Sequence, residues 1–171
     1  MKKALLIVDM LNDFVDKKGA LKVEGAEEIV PYIKGFKVAF KREGGKVFYL
    51  CDAHKENDPE FELWPRHCVE GTWGAEIVPA LKPDSDDIVI KKTTYSGFYN
   101  TDLDEKLRGM GIDTLYITGV AMNICVHYTA ADARMRGYNV IVPLMGVKGL
   151  TKEDEDYMKK QFVNVLKIKL I

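Results

Sequence analysis

Short apolar runs rich in β-branched residues alternate with helix-length amphipathic stretches along this chain, and that alternation limits its fold more than any other feature. The runs are KALLIV (3–8), KVFYLC (46–51), DIVIKK (87–92), TLYITGV (114–120) and YNVIVP (138–143). Between them, residues 26–44, 101–111, 123–137 and 151–166 carry helical patterns. In the first of these, Ile29, Ile33, Phe36, Val38 and Phe40 approximate one side, and Pro31 is tolerated in the opening turns. Thr101 or Asp102 caps the second, which Gly109 and Gly111 end, and acids fill the first turn of the last. The final LKIKLI alternates as an edge strand does. Strands separated by helices imply right-handed crossovers, a parallel sheet and helices on both of its faces. The expectation is a doubly wound α/β domain, Rossmann-like and three-layered, with a mostly parallel sheet of about six strands. At 171 residues the chain suits one such domain over 1–171.

Charge excludes several functions. With 25 basic and 26 acidic side chains the net charge is −1, and no basic run interleaved with aromatics marks a nucleic-acid surface. The opening MKKALLIVDM has an apolar run only from Ala4 to Val8, shorter than the ~7–15 residues of a signal peptide's core. No apolar stretch approaches the ~20 residues of a membrane span. A cytoplasmic protein is expected, without nucleic-acid or membrane partners. Three cysteines, Cys51, Cys68 and Cys125, include no C-x-x-C pair, which speaks for reduced thiols rather than a disulfide framework.

In doubly wound sheets ligands bind beyond the carboxyl ends of the strands. Asp9 ends the first run, Asp52 follows the second, Lys91 and Lys92 end the third, and Cys125 opens the helix after the fourth. A cysteine there is either a small core residue or a nucleophile. As a nucleophile it gains from a helix N-terminus and a nearby ammonium, which favour thiolate, and from a carboxylate that takes and returns its proton. The tight turn over 120–125 offers backbone N–H groups to an oxyanion. His127 is the rival base, but two positions along a helix it points about 200° away from Cys125, and it reads as a packing residue. Strand alternation places Lys91 and Lys92 on opposite faces, so only one serves the site.

Three segments, LLIVDMLNDF, KKTTYSGF and TGVAMNICVHYTAADARMRGY, together resemble the signatures of the isochorismatase-like cysteine hydrolases. The resemblance runs from Ala4 to about Leu150. It implies a catalytic triad of Asp9, Lys92 and Cys125. Lys92 is preferred because it lies three residues before Tyr95, as in the shorter family members. It also implies a cis peptide between Val120 and Ala121, with the N–H groups of Ala121 and Cys125 as the oxyanion hole. Met122 and Asn123 depart from the threonine and aspartate common in the family. The departure leaves the triad intact and bears on the pocket wall.

A second constellation lies in the long irregular segment 53–86, where CDAHKENDPEFELWPRHC (51–68) holds two of the three histidines. Asp52 and His54 alternate on extended chain and share a face, and His67 returns after the loop. One carboxylate and two imidazoles match the preferences of zinc, iron or manganese, against the alternative of a hydrogen-bonded loop. DAH followed by WPRHC is similar to the metal-binding segments of the nicotinamidase branch, although many members have tryptophan in place of Ala53. That similarity implies Asp52, His54 and His67 as ligands of a divalent metal, zinc first, with Glu60 as a fourth and Glu56, Asp58 and Glu62 as competitors. It also implies Phe14, Trp64 and Tyr95 as the walls of an aromatic pocket, and homodimers or tetramers. Cys51 and Cys68 are read as structural. The expected reaction is hydrolysis of nicotinamide to nicotinate and ammonia through a cysteine thioester. The alternatives are a cysteine amidase acting on a carbamoyl or ureido compound, and a non-catalytic metal-binding α/β module. A vinyl-ether hydrolase of the isochorismate type fits less well, because that branch does not use the cysteine. No G-x-G-x-x-G or G-x-x-x-x-G-K-[ST] supports nucleotide binding.

Overall fold

The computed structural model describes residues 2–171. Strand β1 (Lys3–Val8) leads into the one-turn α1 (Asn12–Val15), and the long α2 (Ala26–Arg42) returns the chain to β2 (Lys46–Asp52). β3 (Ile88–Lys92), α3 (Leu103–Gly109), β4 (Thr114–Val120), α4 (Cys125–Met135) and β5 (Asn139–Val142) continue the alternation. The short β6 (Val147–Lys148), α5 (Lys152–Lys160) and β7 (Lys169–Leu170) complete it. Every pairing between these strands is parallel, in the order β3-β2-β1-β4-β5-β7, with β6 added beside the end of β4. The sheet thus has seven strands rather than about six, because β6 is a two-residue pairing. The terminal edge strand is the two-residue β7. No helix among the described residues is long and apolar enough to cross a membrane.

The central strands are apolar on both faces because helices cover both. Alternate residues of β1 enter opposite cores: Ala4, Leu6 and Val8 face one, Leu5 and Ile7 the other. α2 covers the second core with Ile29, Ile33 and Phe40, but Val38 is 46% exposed. Lys37 takes the inward position instead, four residues after Ile33 and three before Phe40, where the 3.6-residue period carries it. Its ammonium pairs with the Asp87 carboxylate at 2.6 Å and lies 5.3 Å above the Tyr49 ring. The last helical stretch changes character, continuing from α5 as a π turn over Gln161–Val165.

The strand order reverses between β2 and β4 on either side of β1, and the crevice outside β1 and β4 is the switch point where doubly wound folds bind ligands. Gly119 makes this junction possible. Its φ is +109°, and a Cβ there would stand 1.9 Å from the Val8 carbonyl oxygen. The segment after β2 is irregular but anchored. Short 3₁₀ turns at Pro59–Glu62, Trp73–Ala75 and Pro79–Leu81 punctuate it, and bridges His54–Val69 and Leu11–Ile77 tie it to the body.

Candidate active site

Asp9 leaves β1 in the left-handed region, at φ +50°, with its N–H donating to the Leu50 carbonyl at 2.8 Å. This turn directs the carboxylate across the ends of β2 and β3. Lys92 ends β3 on the buried face, while Lys91 faces solvent and pairs with Glu70. The Lys92 ammonium donates to Asp9 Oδ2 at 2.7 Å, to Asp52 Oδ1 at 2.5 Å and to the Thr94 carbonyl at 3.1 Å. The Asp52 N–H donates in turn to Asp9 Oδ1 at 2.9 Å. Cys125 opens α4 opposite these groups, and ligand atoms of Asp9, Asp52 and Cys125 all lie within 4.8 Å of one another. The structure therefore gathers Asp9, Lys92 and Cys125, and adds Asp52 to them.

Two carboxylates, one ammonium and one thiol share a buried site. Burial and the Asp52 charge push the Asp9 carboxyl up to about 6, against the opposing pull of Lys92. Burial alone would lower the Lys92 pKa, but Asp52 and Asp9 outweigh it and hold the ammonium charged. Burial also pushes the Cys125 thiol well above its ordinary range, with Lys92 pulling it down and Asp9 and Asp52 pushing it up. Burial thus works against the helix terminus and the lysine, and Cys125 lies beside the Asp9 carboxylate.

The peptide Val120–Ala121 is cis. The N–H groups of Ile124 and Val126 both close on the Ala121 carbonyl, at 3.0 and 3.2 Å. Among the described residues the N–H groups of Ala121 and Cys125 have no acceptor, so both remain available at the mouth of the turn. His127 points away, packed against Tyr128 and Phe162.

A second cluster adjoins the first through Asp52. Its Oδ2 lies 3.7 Å from His54 Nε2 and 3.9 Å from His67 Nε2, and Glu60 Oε1 lies 4.0 Å from each imidazole nitrogen. These gaps are too wide for hydrogen bonds and slightly wider than the edges of about 3.4 Å in a four-ligand shell of 2.0–2.1 Å radius. Both Nδ1 atoms are engaged from behind, His54 by Asp58 at 3.0 Å and His67 by the Pro65 carbonyl at 2.7 Å. With Nδ1 donating, each ring turns an Nε2 lone pair inward, the arrangement of metal-binding imidazoles. His54 Nε2 is buried without a hydrogen-bond partner, a position that a cation satisfies. Burial lowers the His54 pKa, but Asp52, Asp58 and Glu60 more than reverse this and raise it to about 9; the site attracts positive charge. The donor set fits a divalent metal. Glu60 is the acid facing it, whereas Asp58 serves behind His54, Arg66 pairs with Glu56, and Glu62 is exposed.

Both clusters open into one cavity. Phe14, Trp64, Tyr95, Ile124 and Leu150 line its walls, and Asp52, Glu60, His67, Ala121 and Cys125 its interior. Trp64 Nε1 donates to the Tyr95 hydroxyl at 3.0 Å, and the Phe14 and His67 rings lie 5.4 Å apart. The contributions of Leu21, Lys22, Val23, Ile124 and Leu150 to this cavity were not legible in the sequence, since they come from loops whose course only the fold defines. Cys51 and Cys68 are free and buried, and burial pushes both thiols far up, away from reactivity.

A thiol, a carboxylate and an ammonium thus meet at the switch point of a parallel sheet. The isochorismatase domain profile matches residues 3–168, and the chain belongs to that family of hydrolases. A nicotinamidase from Acinetobacter baylyi is 32% identical, with 86% of this chain and 81% of that one aligned. The pyrazinamidase of Pyrococcus horikoshii, solved in complex with zinc, is 37% identical over 100% of this chain and 99% of its own, with a TM-score of 0.94. N-carbamoylsarcosine amidase of Thermoplasma acidophilum is also 37% identical, covering 99% of this chain and 95% of its own, with a TM-score of 0.91.

Proposed function

We propose that this hydrolase is a metal-dependent nicotinamidase, converting nicotinamide and water to nicotinate and ammonia. The observation that carries the reading is one aromatic-walled cavity reached both by Cys125 and by the Asp52, Glu60 and His67 cluster. A divalent metal held by Asp52, His54, Glu60 and His67, zinc first with iron or manganese as alternatives, supplies a Lewis-acidic position suited to a pyridine nitrogen. Phe14, Trp64 and Tyr95 flank the ring, so the carboxamide is presented to the thiol.

Asp9 takes the proton from Cys125 Sγ as sulfur attacks the carboxamide carbon. The developing oxyanion lies between the Ala121 and Cys125 N–H groups, which carry no competing bond. Asp9 passes its proton to the departing ammonia, leaving a thioester. Water, deprotonated by the same carboxylate, cleaves that thioester and restores the thiol. Lys92 keeps Asp9 ionised despite burial, and its charge balances the two carboxylates while the proton moves.

The equal identity to N-carbamoylsarcosine amidase favours a second reading, an amidase for carbamoyl or ureido compounds. Ammonia release by zinc-loaded protein from nicotinamide, and in parallel from N-carbamoyl amino acids, separates the two. Turnover of nicotinamide that is lost on chelation and in Cys125→Ala is the expected result. No turnover of nicotinamide by the loaded wild type overturns the assignment, and turnover surviving Cys125→Ala overturns the mechanism.

A further inference from the structure

Asp13 has no part in the chemistry above, yet it is buried and its carboxylate is fully engaged. Oδ2 accepts the Cys68 N–H at 2.7 Å and Oδ1 accepts the Ala20 N–H at 3.0 Å. Cys68 directly follows His67 and sits at φ +45°, a region that non-glycine residues rarely adopt. Its carbonyl accepts the His54 N–H at 3.0 Å, and the His54 carbonyl accepts from Glu70 at 2.9 Å. Cys68 is therefore held at its N–H by Asp13 and at its carbonyl by His54, in the residue directly after His67. The carboxylate also lies over Gly74, where a Cβ would stand 2.0 Å from Oδ2, so the segment beyond His67 closes tightly around it. The next residue, Phe14, packs its ring on His67.

We propose that Asp13 is the positioning residue of the metal centre: by gripping the strained Cys68 peptide it fixes the separation and orientation of His54 and His67. The inference rests on reading Asp52, His54, Glu60 and His67 as a metal site, and it deepens that reading. A charged acceptor suits the role because a carboxylate makes a stronger bond to an N–H than an amide does, and the Cys68 backbone needs a strong hold. No sequence signal distinguishes it, since an aspartate in the first turn of a short helix reads as an ordinary acid at a helix N-terminus.

The test measures zinc affinity by competition with a chromophoric chelator, well below the melting temperature, in wild type, Asp13→Asn and Asp13→Ala. Outer-shell partners of metal ligands contribute about 10- to 100-fold in affinity, so Asp13→Ala should bind zinc at least about tenfold more weakly. Asp13→Asn keeps the shape and one acceptor and should fall between the two. Alkylation of Cys125 by iodoacetamide in the zinc-free proteins should stay at the wild-type rate, which a general loss of structure would not allow. Should Asp13→Ala fail to fold, Gly74→Ala, which drives the carboxylate off Cys68, should show the same selective loss. A folded Asp13→Ala or Gly74→Ala with wild-type zinc affinity overturns the proposal. Wild-type protein that binds no zinc overturns the metal reading itself, before any variant is compared.

Discussion

Adjacent lysines on β3 allow the buried charge cluster to be tested against an internal control. Lys92 is 2% exposed and contacts two carboxylates, at 2.7 and 2.5 Å. At an effective dielectric of 20 each contact is worth about 6 kcal/mol of attraction, but burying the three ions costs several kcal/mol apiece, so the net is far smaller than the sum. Replacing Lys92 by Met keeps the stem and removes the charge, leaving Asp9 and Asp52 facing each other in a dry site. Breaking a buried pair in this way costs about 3–5 kcal/mol. For a chain of this size that lowers the melting temperature by about 6–20 °C. Lys91→Met breaks only the solvent-exposed bridge to Glu70 and should cost about 0–1 kcal/mol. The assay is urea unfolding of both variants in metal-free buffer, with amide hydrolysis measured alongside. Lys92→Met should also lose roughly 10²-fold or more in kcat, because the uncompensated Asp9 holds a proton and no longer accepts one from Cys125. A Lys92→Met protein within about 1 kcal/mol of Lys91→Met would refute the claim that this ammonium balances the two carboxylates.

Other outcomes follow from the same geometry. Zinc at 100 times its dissociation constant should stabilise the wild type by about 2.7 kcal/mol, and titration calorimetry or melting curves should show this stabilisation vanish in His54→Ala. Trp64→Ala removes one pocket wall and releases the Tyr95 hydroxyl; the KM for nicotinamide should rise roughly 3- to 10-fold with a smaller change in kcat, read from initial rates. Burial raises the Asp104 pKa, but the Tyr138 hydroxyl at 2.6 Å and Arg108 outweigh it and hold the carboxyl below its ordinary value. Its stabilisation is therefore present above the unfolded pKa of about 4 and is lost as pH falls through the folded one. Asp104→Asn should be less stable than wild type at neutral pH and converge with it in acid, as followed by urea midpoints.

The sheet was legible because parallel strands buried on both faces must be apolar without interruption, and β1 occupies the very residues of its apolar run. β6 was not, since two residues carry no period; its pairing exists only because Val147 and Lys148 come beside Gly119 and Val120. Val38 was misplaced by reading hydrophobicity ahead of helical geometry, and Lys37 is inside because Asp87 and the Tyr49 ring receive its ammonium. At the site, strand exits pointed to Asp9, Asp52 and the two lysines, and alternation separated Lys92 from Lys91. The protonation state of Cys125 was beyond such reasoning. A helix terminus and a lysine favour the thiolate, and only the fold shows that the thiol is buried, which pushes it well above its ordinary range.

Asp52 explains why the metal cluster and the thiol site belong to one device. Its N–H orients Asp9, Oδ1 holds Lys92, and Oδ2 faces His54 and His67. A carboxylate shared in this way faces Lys92 with one oxygen and the two imidazoles with the other. Oδ1 and the backbone N–H engage Lys92 and Asp9 directly, through atoms other than the Oδ2 that faces the imidazoles. On the proposed reading, loss of a histidine should remove the anchor for substrate and leave the Asp9–Lys92 contact in place. Loss of Asp52 dismantles both, because no other group among the described residues bridges Lys92 to the imidazoles. Among the side chains of the two clusters, Asp52 is thus the one that touches both Lys92 and the imidazole side.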